Sequence, residues 1–560
     1  MNKKENKRIR IIFFIILISF MVFEGRLTYL QIIKHEHYKQ KSENNRILKI
    51  ATYPKRAAIL DRNKTPLAFS NELLKIRFHA SPNEIKSLEK KLESITKNKQ
   101  VKKEYKSLTI SKLTWLELED IIEDSDVPIP EIEMQQERIY PYSETSGNLI
   151  GYSQSEGNNH KGKYGIEKNL EEELKGKPGS DFYLINSRRR TLKRENSVPA
   201  KKSEDIKLSI NAELQQAAYD NIKDEKQAAI IIIDSNTGEV LALASTPSFD
   251  PNHFSQGNKE KISQYYKEKL NPLFNLPVKG IFSMASTMKP FATIAALNQG
   301  IAKPINCTKD FFLGKKRFRC WKAHGTIDLI RILPESCDYA YYEWARTLSF
   351  ESIKEVIEDF ALDKPALEEL EGKKGFFKAP SKKNKWKAAD AIFFSIGQGA
   401  NAFTLAQLTR AYARIATGKQ IELTLLKSEK EDFPDLKTKK QTLDLIRKSL
   451  FLTVNSPGGT AYYFNKPIGT SIGISGKTGT SQVKKMKEED YGAGNNHKKW
   501  KDKDHAIFCG FGPHPKNNIT GCVIVVHGGG GGRIASPILM KTLKTAFEKH
   551  PLKKINQMVK

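Results

Sequence analysis

The sequence predicts an α+β protein. It should begin with one transmembrane helix, continue through mixed helices and strands, and end in an antiparallel sheet with helices on both sides. Three observations lead to this prediction: a basic N-terminus precedes an apolar run, strand patterns open and close the C-terminal half, and helical patterns lie between those strands. Strands and helices segregated in this way are typical of an antiparallel sheet with helices packed on it. At 560 residues the chain is also too long for one hydrophobic core.

The N-terminus predicts a membrane anchor. Residues 1–10 are basic, and Ile11 to Phe23 contains no polar residue larger than serine. As a helix this run covers only ~20 Å of a ~30 Å hydrocarbon core, which is also the length of a signal-peptide core. No small-x-small cleavage site follows it, and the apolar helix resumes at 27–33. We therefore predict an uncleaved anchor over 11–33 with residues 1–10 in the cytoplasm, and not a buried soluble helix.

Residues 34–205 are predicted to form a mixed domain without recognisable chemistry of its own. The stretch 56–63 is typical of a short strand that enters a turn, and 187–205, with three consecutive arginines at 188–190, predicts a strand edge and a linker. Residues 80–130 combine helical periodicity with lysine-rich loops, and their role is open. The net charge of +29 suits lipid headgroups, carboxylate-bearing peptides or nucleic acid. Because no aromatic-basic RNA motif or zinc-finger spacing accompanies it, we expect no nucleic acid partner.

Residues 206–548 are predicted to form the second domain, followed by a tail over 549–560. A helix near 212–222 precedes an apolar strand over 228–234, a turn, and a returning strand over 239–245. A second hairpin pairs 506–511 with 520–527, and helical patterns at 286–299, 338–347 and 404–416 lie between the two hairpins. The strands of both hairpins should join in one antiparallel sheet.

Three short motifs in this domain predict nucleophilic catalysis by serine. They are Ser286-Thr287-Met288-Lys289, Ser336-Cys337-Asp338 and Lys477-Thr478-Gly479-Thr480. Ser286 precedes an apolar helix, so we expect it in the first turn, where the helix dipole favours a developing alkoxide. Lys289 lies three residues later on the same helical face, within reach of that hydroxyl. It can accept the proton only if burial or a second cation depresses its pKa.

The third motif would supply that second cation and a binding edge. Lys477 can also hold a substrate carboxylate, and the small residues Thr478, Gly479 and Thr480 suit a strand edge along which an extended peptide lies. The backbone amides of Ser286 and Thr480 would form an oxyanion hole. Each motif alone is weak evidence, because such short patterns also occur by chance. A serine-x-x-lysine by itself is usually a pair on a helix surface. The three together, in this order, are the set found in penicillin-binding proteins and class A β-lactamases.

On these motifs the chain resembles the class B penicillin-binding proteins, and most closely their elongation-type subgroup. The resemblance runs nearly end to end and includes further stretches: 29–31, 42–46, 56, 61–63, 67–68, 165–167, 174–176, 237–242, 395–399 and 527–532. It implies an elongated pedestal below a transpeptidase domain of the β-lactamase-like fold. The substrate would be the D-Ala-D-Ala end of peptidoglycan stem peptides, and β-lactams would acylate Ser286. Ser336 would pass a proton to the leaving group, and Asp338 would orient Lys289 and the substrate amide.

The same resemblance implies a location and partners. The anchor would sit in the bacterial inner membrane, with the catalytic domain in the periplasm. A membrane glycan polymerase and other elongation-complex proteins would be the partners, and no organic cofactor is implied. A septal role, a D,D-carboxypeptidase or β-lactamase activity, and a non-catalytic β-lactam sensor are the alternatives.

Two positions depart from the pattern of these proteins. Ser283-Met284-Ala285 stands where they usually have proline-glycine before the nucleophile, which reduces the backbone freedom of that loop. Asp338 stands where most class B enzymes have asparagine, and in this the chain is similar to the elongation-type subgroup.

Cys307, Cys320, His324 and Cys337 are candidate ligands for one structural Zn²⁺. Three thiolates and an imidazole make a closed tetrahedral set, although the outer spacings are unlike those of a zinc finger. Some elongation-type enzymes bind zinc in this stretch. Buried free cysteines, or one disulfide with a spare thiol, are the alternatives.

Three further features have weaker predictions. Cys509 and Cys522 lie on opposite arms of the C-terminal hairpin and could be packed thiols or a cross-strand disulfide. His505 and His527 flank that hairpin and are expected to be structural. The glycine run at 528–532 follows a strand, opens no phosphate-loop helix, and is expected to form a flexible rim.

Overall fold

The computed structural model describes residues 3–45, 47–97, 99–122, 130–157, 159–185, 191–382, 385–427, 432–464, 472–484, 499–516 and 518–549. The three arginines at 188–190 lie outside these residues. Two compact units make up the chain. The first consists of residues 1–55 and 175–203, and the second of residues 56–174 and 204–560.

The elements up to residue 198 alternate between helices and strands. In chain order they are α1 (Lys3–Thr28), α2 (His35–Asn45), β1 (Ile47–Thr52), β2 (Ile59–Leu60), β3 (Pro66–His79), α3 (Pro82–Lys91), α4 (Glu93–Thr96), β4 (Gln100–Glu104), β5 (Ser107–Leu113), α5 (Trp115–Ile122), β6 (Glu131–Ile139), α6 (Ser143–Ile150), β7 (Tyr152–Glu156), β8 (Asn159–Tyr164), α7 (Gly165–Asn169), α8 (Glu171–Leu174), β9 (Gly179–Ile185) and β10 (Thr191–Val198).

From residue 206 onward, helices lie between an N-terminal and a C-terminal group of strands. In chain order these elements are β11 (Ile206–Lys207), α9 (Ala212–Asp220), β12 (Ala228–Asp234), β13 (Val240–Thr246), α10 (Pro251–Ser255), α11 (Lys259–Lys267), α12 (Leu276–Lys279), α13 (Lys289–Asn298), β14 (Ile305–Cys307), β15 (Asp310–Leu313), β16 (Lys316–Arg319), β17 (Gly325–Ile327), α14 (Leu329–Ile332), α15 (Asp338–Trp344), α16 (Phe350–Asp359), α17 (Ala388–Ser395), α18 (Leu405–Thr417), α19 (Lys440–Asn455), β18 (Ser475–Ser481), β19 (His505–Gly512), β20 (Ile519–Val525) and α20 (Ser536–Lys549).

The first unit contains the predicted anchor and a small sheet. Helix α1 continues through a π turn at Tyr29–Ile33, and the stretch Lys7–Ile33 is long and apolar enough to cross a membrane. Its apolar side chains are exposed, as at Phe23, which is 72% exposed. This exposed apolar surface makes the helix a candidate membrane span, in agreement with the predicted anchor. Strands β1, β9 and β10 form an antiparallel sheet in that order.

The N-terminal part of the second unit is built on a sheet with strand order β11-β2-β3-β5-β4, in which β6 also pairs with β3. Residues 80–122, for which the sequence predicted no role, supply β4, β5, α3 and α5. Alternate residues of β3 and β5, such as Ile76 and Ile110, bury their side chains against Ile85 of α3 and Leu118 of α5. This small core explains the helical periodicity of the segment.

A buried ion cluster lies in the same part of the second unit. The Glu167 carboxylate, fully buried, accepts hydrogen bonds from Arg56 Nε and Arg138 Nε, each at 2.7 Å, and from the Tyr140 hydroxyl at 3.1 Å. Burial raises the pKa of Glu167, but the two guanidinium groups outweigh it and hold that pKa below its usual range. The cluster therefore places a carboxylate and two cations together in the interior.

The main sheet of the second unit is antiparallel, with strand order β13-β12-β20-β19-β18. Both faces of β12 are buried: Ile231 and Ile233 belong to one core cluster with α13 and α18, and Ile230 and Ile232 belong to another with α9 and α20. The continuous apolar run of β12 follows from this double burial. The sheet, with helices on both faces, confirms the predicted fold class. The cross-strand pair Cys509–Cys522 forms a disulfide between β19 and β20.

Candidate active site

The three motifs converge at the edge strand of the main sheet. β18 carries the third motif, and the first motif begins in a 3₁₀ turn at Ala285–Met288 that packs against this strand. A Cβ added to Gly479 would lie 3.0 Å from both Met284 O and Thr287 Cγ2. The glycine of the third motif therefore lets the nucleophile turn approach the strand closely.

Ser286 lies in the 3₁₀ turn, one turn earlier than the sequence predicted, because α13 begins only at Lys289. The preceding residue, Ala285, has a φ of 48°, a left-handed conformation that is uncommon for a residue with a side chain. Gly397 supports the turn, since its carbonyl accepts hydrogen bonds from Ala285 N at 2.8 Å and from Ser283 Oγ at 2.6 Å. The Ser286 side chain is half-buried and makes no hydrogen bond to the part of the chain that the structure describes.

The Lys289 ammonium joins the first motif to the second. It is completely buried and donates hydrogen bonds to Ser336 O at 2.9 Å, Ser336 Oγ at 3.0 Å and Asp338 Oδ1 at 2.7 Å. Ser336 has a φ of 52°, so the second motif also contains a left-handed residue with a side chain. The sequence predicted that Lys289 reaches the hydroxyl of Ser286. Among the residues that the structure describes, its hydrogen bonds go instead to Ser336 and Asp338.

Lys477 brings a second buried amine to the same place. Its ammonium is fully buried and donates to Thr478 O at 3.3 Å. Burial, reinforced by the charge of Lys289, holds the pKa of Lys477 well below its usual value, while Asp338 opposes this effect. Burial in turn raises the pKa of Asp338, which the charge of Lys289 partly offsets. Because one carboxylate faces two buried amines, a second positive charge is costly in this group.

The glycine run is not the flexible rim that the sequence predicted. A Cβ on Gly531 would lie 2.2 Å from Gly479 O and 2.5 Å from Ile507 O, and Gly531 N donates to Thr480 Oγ1 at 3.2 Å. The run also leads through a π turn at Gly531–Ala535 directly into α20, so it does open a helix. The glycines allow a close packing of this turn against β18, which the composition of the run alone did not indicate.

The four candidate zinc ligands lie together beside the second motif. Their ligand atoms are within 4.8 Å of one another, and the three cysteines are buried and free of disulfides. His324 Nδ1 is 3.4 Å from Cys307 Sγ and 3.6 Å from Cys320 Sγ, and its other ring nitrogen is 3.3 Å from Glu335 O. A hydrogen bond with Cys337 is the main cause that lowers the pKa of Cys320 to about 3. Three convergent thiols and one imidazole held by a backbone carbonyl fit a tetrahedral metal.

The two histidines near the C-terminal hairpin contact each other outside these motifs. The rings of His505 and His527 are 4.7 Å apart, and His527 N donates to His505 Nδ1 at 3.0 Å. Their structural role stays a prediction.

The sequence missed one residue beside the third motif. The hydroxyl groups of Thr460 and Thr478 are 2.7 Å apart and hydrogen-bonded. Thr460 follows the glycine pair Gly458-Gly459, whose turn signal could have drawn attention to this position.

The arrangement of these groups is suited to covalent catalysis. A half-buried hydroxyl lies on a tight turn, two buried amines and a carboxylate can relay its proton, and an edge strand is available for an extended substrate.

Comparisons with known proteins agree with this description. The family model of the penicillin-binding protein transpeptidase domain matches residues 228–544, more than half of the chain. The model of the penicillin-binding protein dimerisation domain matches residues 51–208.

Full-length relatives show the same pattern. The peptidoglycan D,D-transpeptidase MrdA of Acinetobacter baumannii is 28% identical, over 99% of this chain and 91% of its own length. The protein of the same name from Escherichia coli K12 is 27% identical, over 95% of this chain and 92% of its own length. A solved complex between penicillin-binding protein 2 and MreC from Helicobacter pylori contains a chain of the same fold, with a TM-score of 0.72, 23% identity, and coverage of 90% of this chain and 99% of that one.

Proposed function

Because the chain belongs to the penicillin-binding protein transpeptidases, we propose that it is the elongation-type peptidoglycan D,D-transpeptidase of its cell. One observation carries the proposal: Ser286 lies on a turn that packs against edge strand β18 and leads directly into Lys289, whose buried ammonium is hydrogen-bonded to Ser336 and Asp338. The full-length relatives named as peptidoglycan D,D-transpeptidases support the reaction and the substrate class.

In the first step, Ser286 Oγ attacks the carbonyl carbon of the penultimate D-alanine of a donor stem peptide. Lys289 Nζ accepts the hydroxyl proton, and the backbone amides of Ser286 and Thr480 stabilise the oxyanion. The peptide C–N bond then breaks, and the departing D-alanine amine receives a proton through Ser336. An acyl-enzyme ester and free D-alanine are the products.

In the second step, the amine of a neighbouring stem peptide attacks the ester carbonyl. The attacking amine loses a proton, the ester C–O bond breaks, Ser286 Oγ takes up that proton, and a new peptide cross-link forms. In the first step, Lys477, Thr478 and Thr480 hold the terminal carboxylate of the donor, which departs with the free D-alanine, and Gly479 keeps the strand edge close to the nucleophile. Asp338 orients Lys289. The buried position of Lys289 beside Ser336 and Asp338 supports this assignment of roles. To act as the base, Lys289 takes the neutral amine form and gives up one of the three hydrogen bonds that its ammonium donates.

Covalent labelling tests the nucleophile. After incubation of the full-length protein in detergent with benzylpenicillin, intact-mass analysis should show one drug adduct, because the β-lactam amide would acylate Ser286. Ser286→Ala should acquire none. An unmodified wild-type protein, or an equally modified Ser286→Ala, would contradict the proposed nucleophile.

Product analysis separates transfer from hydrolysis. With a labelled stem peptide and an acceptor amine, a transpeptidase forms the cross-linked product. A D,D-carboxypeptidase, which uses water in the second step, releases only the shortened peptide.

We further propose that Cys307, Cys320, His324 and Cys337 hold one structural Zn²⁺, which would fix the second motif because Cys337 lies between Ser336 and Asp338. The convergence of the four ligand atoms supports this site. Elemental analysis should find about one zinc per chain, and Cys320→Ser should lose it and unfold at a lower temperature. A zinc-free wild-type protein in a metal-replete preparation would refute the site.

For its place in the cell, we infer that residues 11–33 anchor the protein in the inner membrane, with 1–10 in the cytoplasm and the rest in the periplasm. We assign 34–205 to a pedestal and 206–548 to the transpeptidase domain. The candidate span and the two family matches support this division. The solved complex of a related protein with MreC supports partners in an elongation complex. A solved structure described as the coordination of polymerization and crosslinking by a peptidoglycan synthase complex supports a membrane glycan polymerase among them. Depletion should then give round cells, whereas a septal enzyme would give filaments.

A further inference from the structure

A short loop outside the three motifs connects the second motif to the third. It consists of residues 456–460, which follow α19, and we name it the bridging loop. On one side, the Thr460 hydroxyl is hydrogen-bonded to the Thr478 hydroxyl at 2.7 Å, on strand β18. On the other side, Thr460 N donates to Pro334 O at 3.2 Å, two residues before Ser336. One threonine thus contacts the segments of both motifs.

Arg331 fastens this loop to the second motif. Its guanidinium donates from NH1 to Ser456 Oγ at 3.0 Å and from NH2 to Pro457 O at 2.7 Å. The same group binds Glu335 Oε1 through Nε at 3.2 Å and through NH2 at 3.1 Å. Only a planar guanidinium has enough donors in a fixed fork to reach these three partners at once.

The loop backbone is shaped to accept that guanidinium. Gly458 has a φ of 85°, and a Cβ there would lie 2.7 Å from Arg331 NH2. A Cβ on the neighbouring Gly459 would lie 2.3 Å from Thr453 O. Gly459 is therefore required sterically, for the sharp exit from α19, and Gly458 is favoured by its φ of 85°, a conformation that residues with a side chain rarely adopt.

Glu335, the partner of Arg331, directly precedes the strained Ser336. Its carboxylate also binds Lys322 at 3.0 Å, and its carbonyl accepts from Trp321 Nε1 at 3.1 Å. A residue held at both its carboxylate and its carbonyl fixes the backbone that leads into the left-handed Ser336.

We propose that Arg331 and Thr460 are positioning residues of the transpeptidase reaction, which hold Ser336 and Thr478 at a fixed separation through the bridging loop. The inference rests on the proposed function, because it assigns Ser336 to proton transfer and Thr478 to carboxylate binding. Neither residue forms or breaks a bond. Their contribution is the distance between two groups that must act on one substrate, and a misplacement of about 1 Å at such groups can cost about 100-fold in rate.

Acylation kinetics test the proposal. Full-length variants are mixed with a fluorescent penicillin, and the saturating acylation rate is measured separately from the apparent dissociation constant. Arg331→Lys keeps the charge but loses the fork, and Thr460→Val keeps the shape but loses the hydroxyl. Each should lower the saturating rate by about 10-fold. Thr460→Ser, which restores the hydroxyl, should return the rate to within about 2-fold of wild type.

Two controls separate positioning from stability. Arg346→Lys changes a comparable arginine that pairs with Glu343 at 2.8 Å and is 44% exposed, outside the loop; its rate should equal that of wild type. The double variant Arg331→Lys/Thr460→Val should lose little more than either single variant, because both act through one loop. The thermal midpoint of each variant is measured alongside, and rates are referred to the folded fraction.

The inference would be overturned if Arg331→Lys and Thr460→Val had the saturating acylation rate of wild type. It would also be overturned if Arg346→Lys lost as much rate as they do, or if Thr460→Ser did not regain the wild-type rate. A multiplicative loss in the double variant would overturn the common route through the loop. If the wild-type protein itself is not acylated, the proposed function fails. This result differs from a failure of the positioning inference, which would appear only in the comparison of the variants with an active wild type.

Discussion

Two residues of the candidate active site have left-handed backbone conformations although neither is glycine. Ala285 precedes the nucleophile with a φ of 48°, and Ser336 begins the second motif with a φ of 52°. A side chain in this region costs ~1–2 kcal/mol relative to glycine. Such strain persists only where the surroundings impose it, and here the bonds to Gly397 and to Lys289 do so.

At Ala285 the strain predicts an unusual tolerance of glycine. Ala285→Gly removes a buried methyl group but also relieves the left-handed conformation, so the free energy of unfolding should stay within ~0.5 kcal/mol of wild type. Ala292→Gly, at an equally buried position inside α13, should lower it by at least ~1 kcal/mol. Denaturant titration of both variants measures the two values. Equal losses would show that Ala285 is unstrained.

His505 predicts a pH dependence of stability. Burial, followed by the charge of His527, lowers the pKa of His505 from 6.5 to about 4. Between these two values the unfolded chain binds a proton that the folded chain does not. The free energy of unfolding should therefore fall as the pH drops from 6.5 to 4, by up to ~3 kcal/mol from this residue.

The comparison with His505→Gln isolates this effect. The variant cannot be protonated at this position, so it should lose less stability than wild type between pH 7 and pH 4, as measured by denaturant titration at both values. His79→Gln, at a histidine whose side chain is 57% exposed, should behave like wild type. If the variant lost as much stability as wild type between pH 7 and pH 4, groups other than His505 would cause the loss.

At the scale of elements, β18 depends on its neighbours for the geometry of the third motif. Lys477 lies directly opposite Cys509 on β19, and Cys509 is bonded to Cys522 on β20. The disulfide therefore joins the two strands that support the catalytic edge. It closes a loop with a sequence separation of 13 residues.

Removal of this disulfide should cost stability without changing the other cysteines. Cys509→Ala/Cys522→Ala should lower the free energy of unfolding by ~3 kcal/mol, because the unfolded chain regains the entropy of the closed loop. Thiol titration of the denatured, unreduced wild-type protein should find three thiols, corresponding to Cys307, Cys320 and Cys337. Five thiols would mean that the disulfide does not form.

At the scale of the whole molecule, the second unit is continuous from the N-terminal sheet to the catalytic one. Helix α7 carries Glu167 into the buried ion cluster, and its next residues, Lys168 and Asn169, bind Glu371 and the Glu369 carbonyl of the catalytic part at 2.5 and 2.8 Å. Helix α7 therefore contacts both the buried ion cluster and the catalytic part of this unit.

Loss of the buried carboxylate should destabilise this unit strongly. Glu167→Ala leaves Arg138 buried without its counter-charge and Arg56 with Glu171 as its only carboxylate partner, which should cost ~3–5 kcal/mol in the free energy of unfolding. Glu156→Gln, which breaks an ion pair with Lys163 where the glutamate is 51% exposed, should cost under ~1 kcal/mol. Thermal unfolding of the two variants gives the comparison. Similar midpoints would show that the cluster is no more important than a surface pair.

The sequence by itself determined the apolar N-terminal helix, the strands of the central sheet and the three short motifs. Each of these depends on residues close together in the chain: hydropathy over about 20 residues, alternation along a strand, or a spacing of a few positions. The resemblance to a known family then followed from the motifs, and it supported the four candidate zinc ligands that the cysteines and the histidine had already indicated.

Only the tertiary structure decided which distant residues meet. The bonds of Lys289 to the second motif, the disulfide at Cys509, the close packing of Gly531 on β18 and the contact of Thr460 with Thr478 all join separate segments of the chain. Short-range patterns do not encode such contacts, because they depend on how the whole chain packs. The glycine run shows this most clearly: the residues that permit flexibility in isolation are the ones that a crowded strand edge requires.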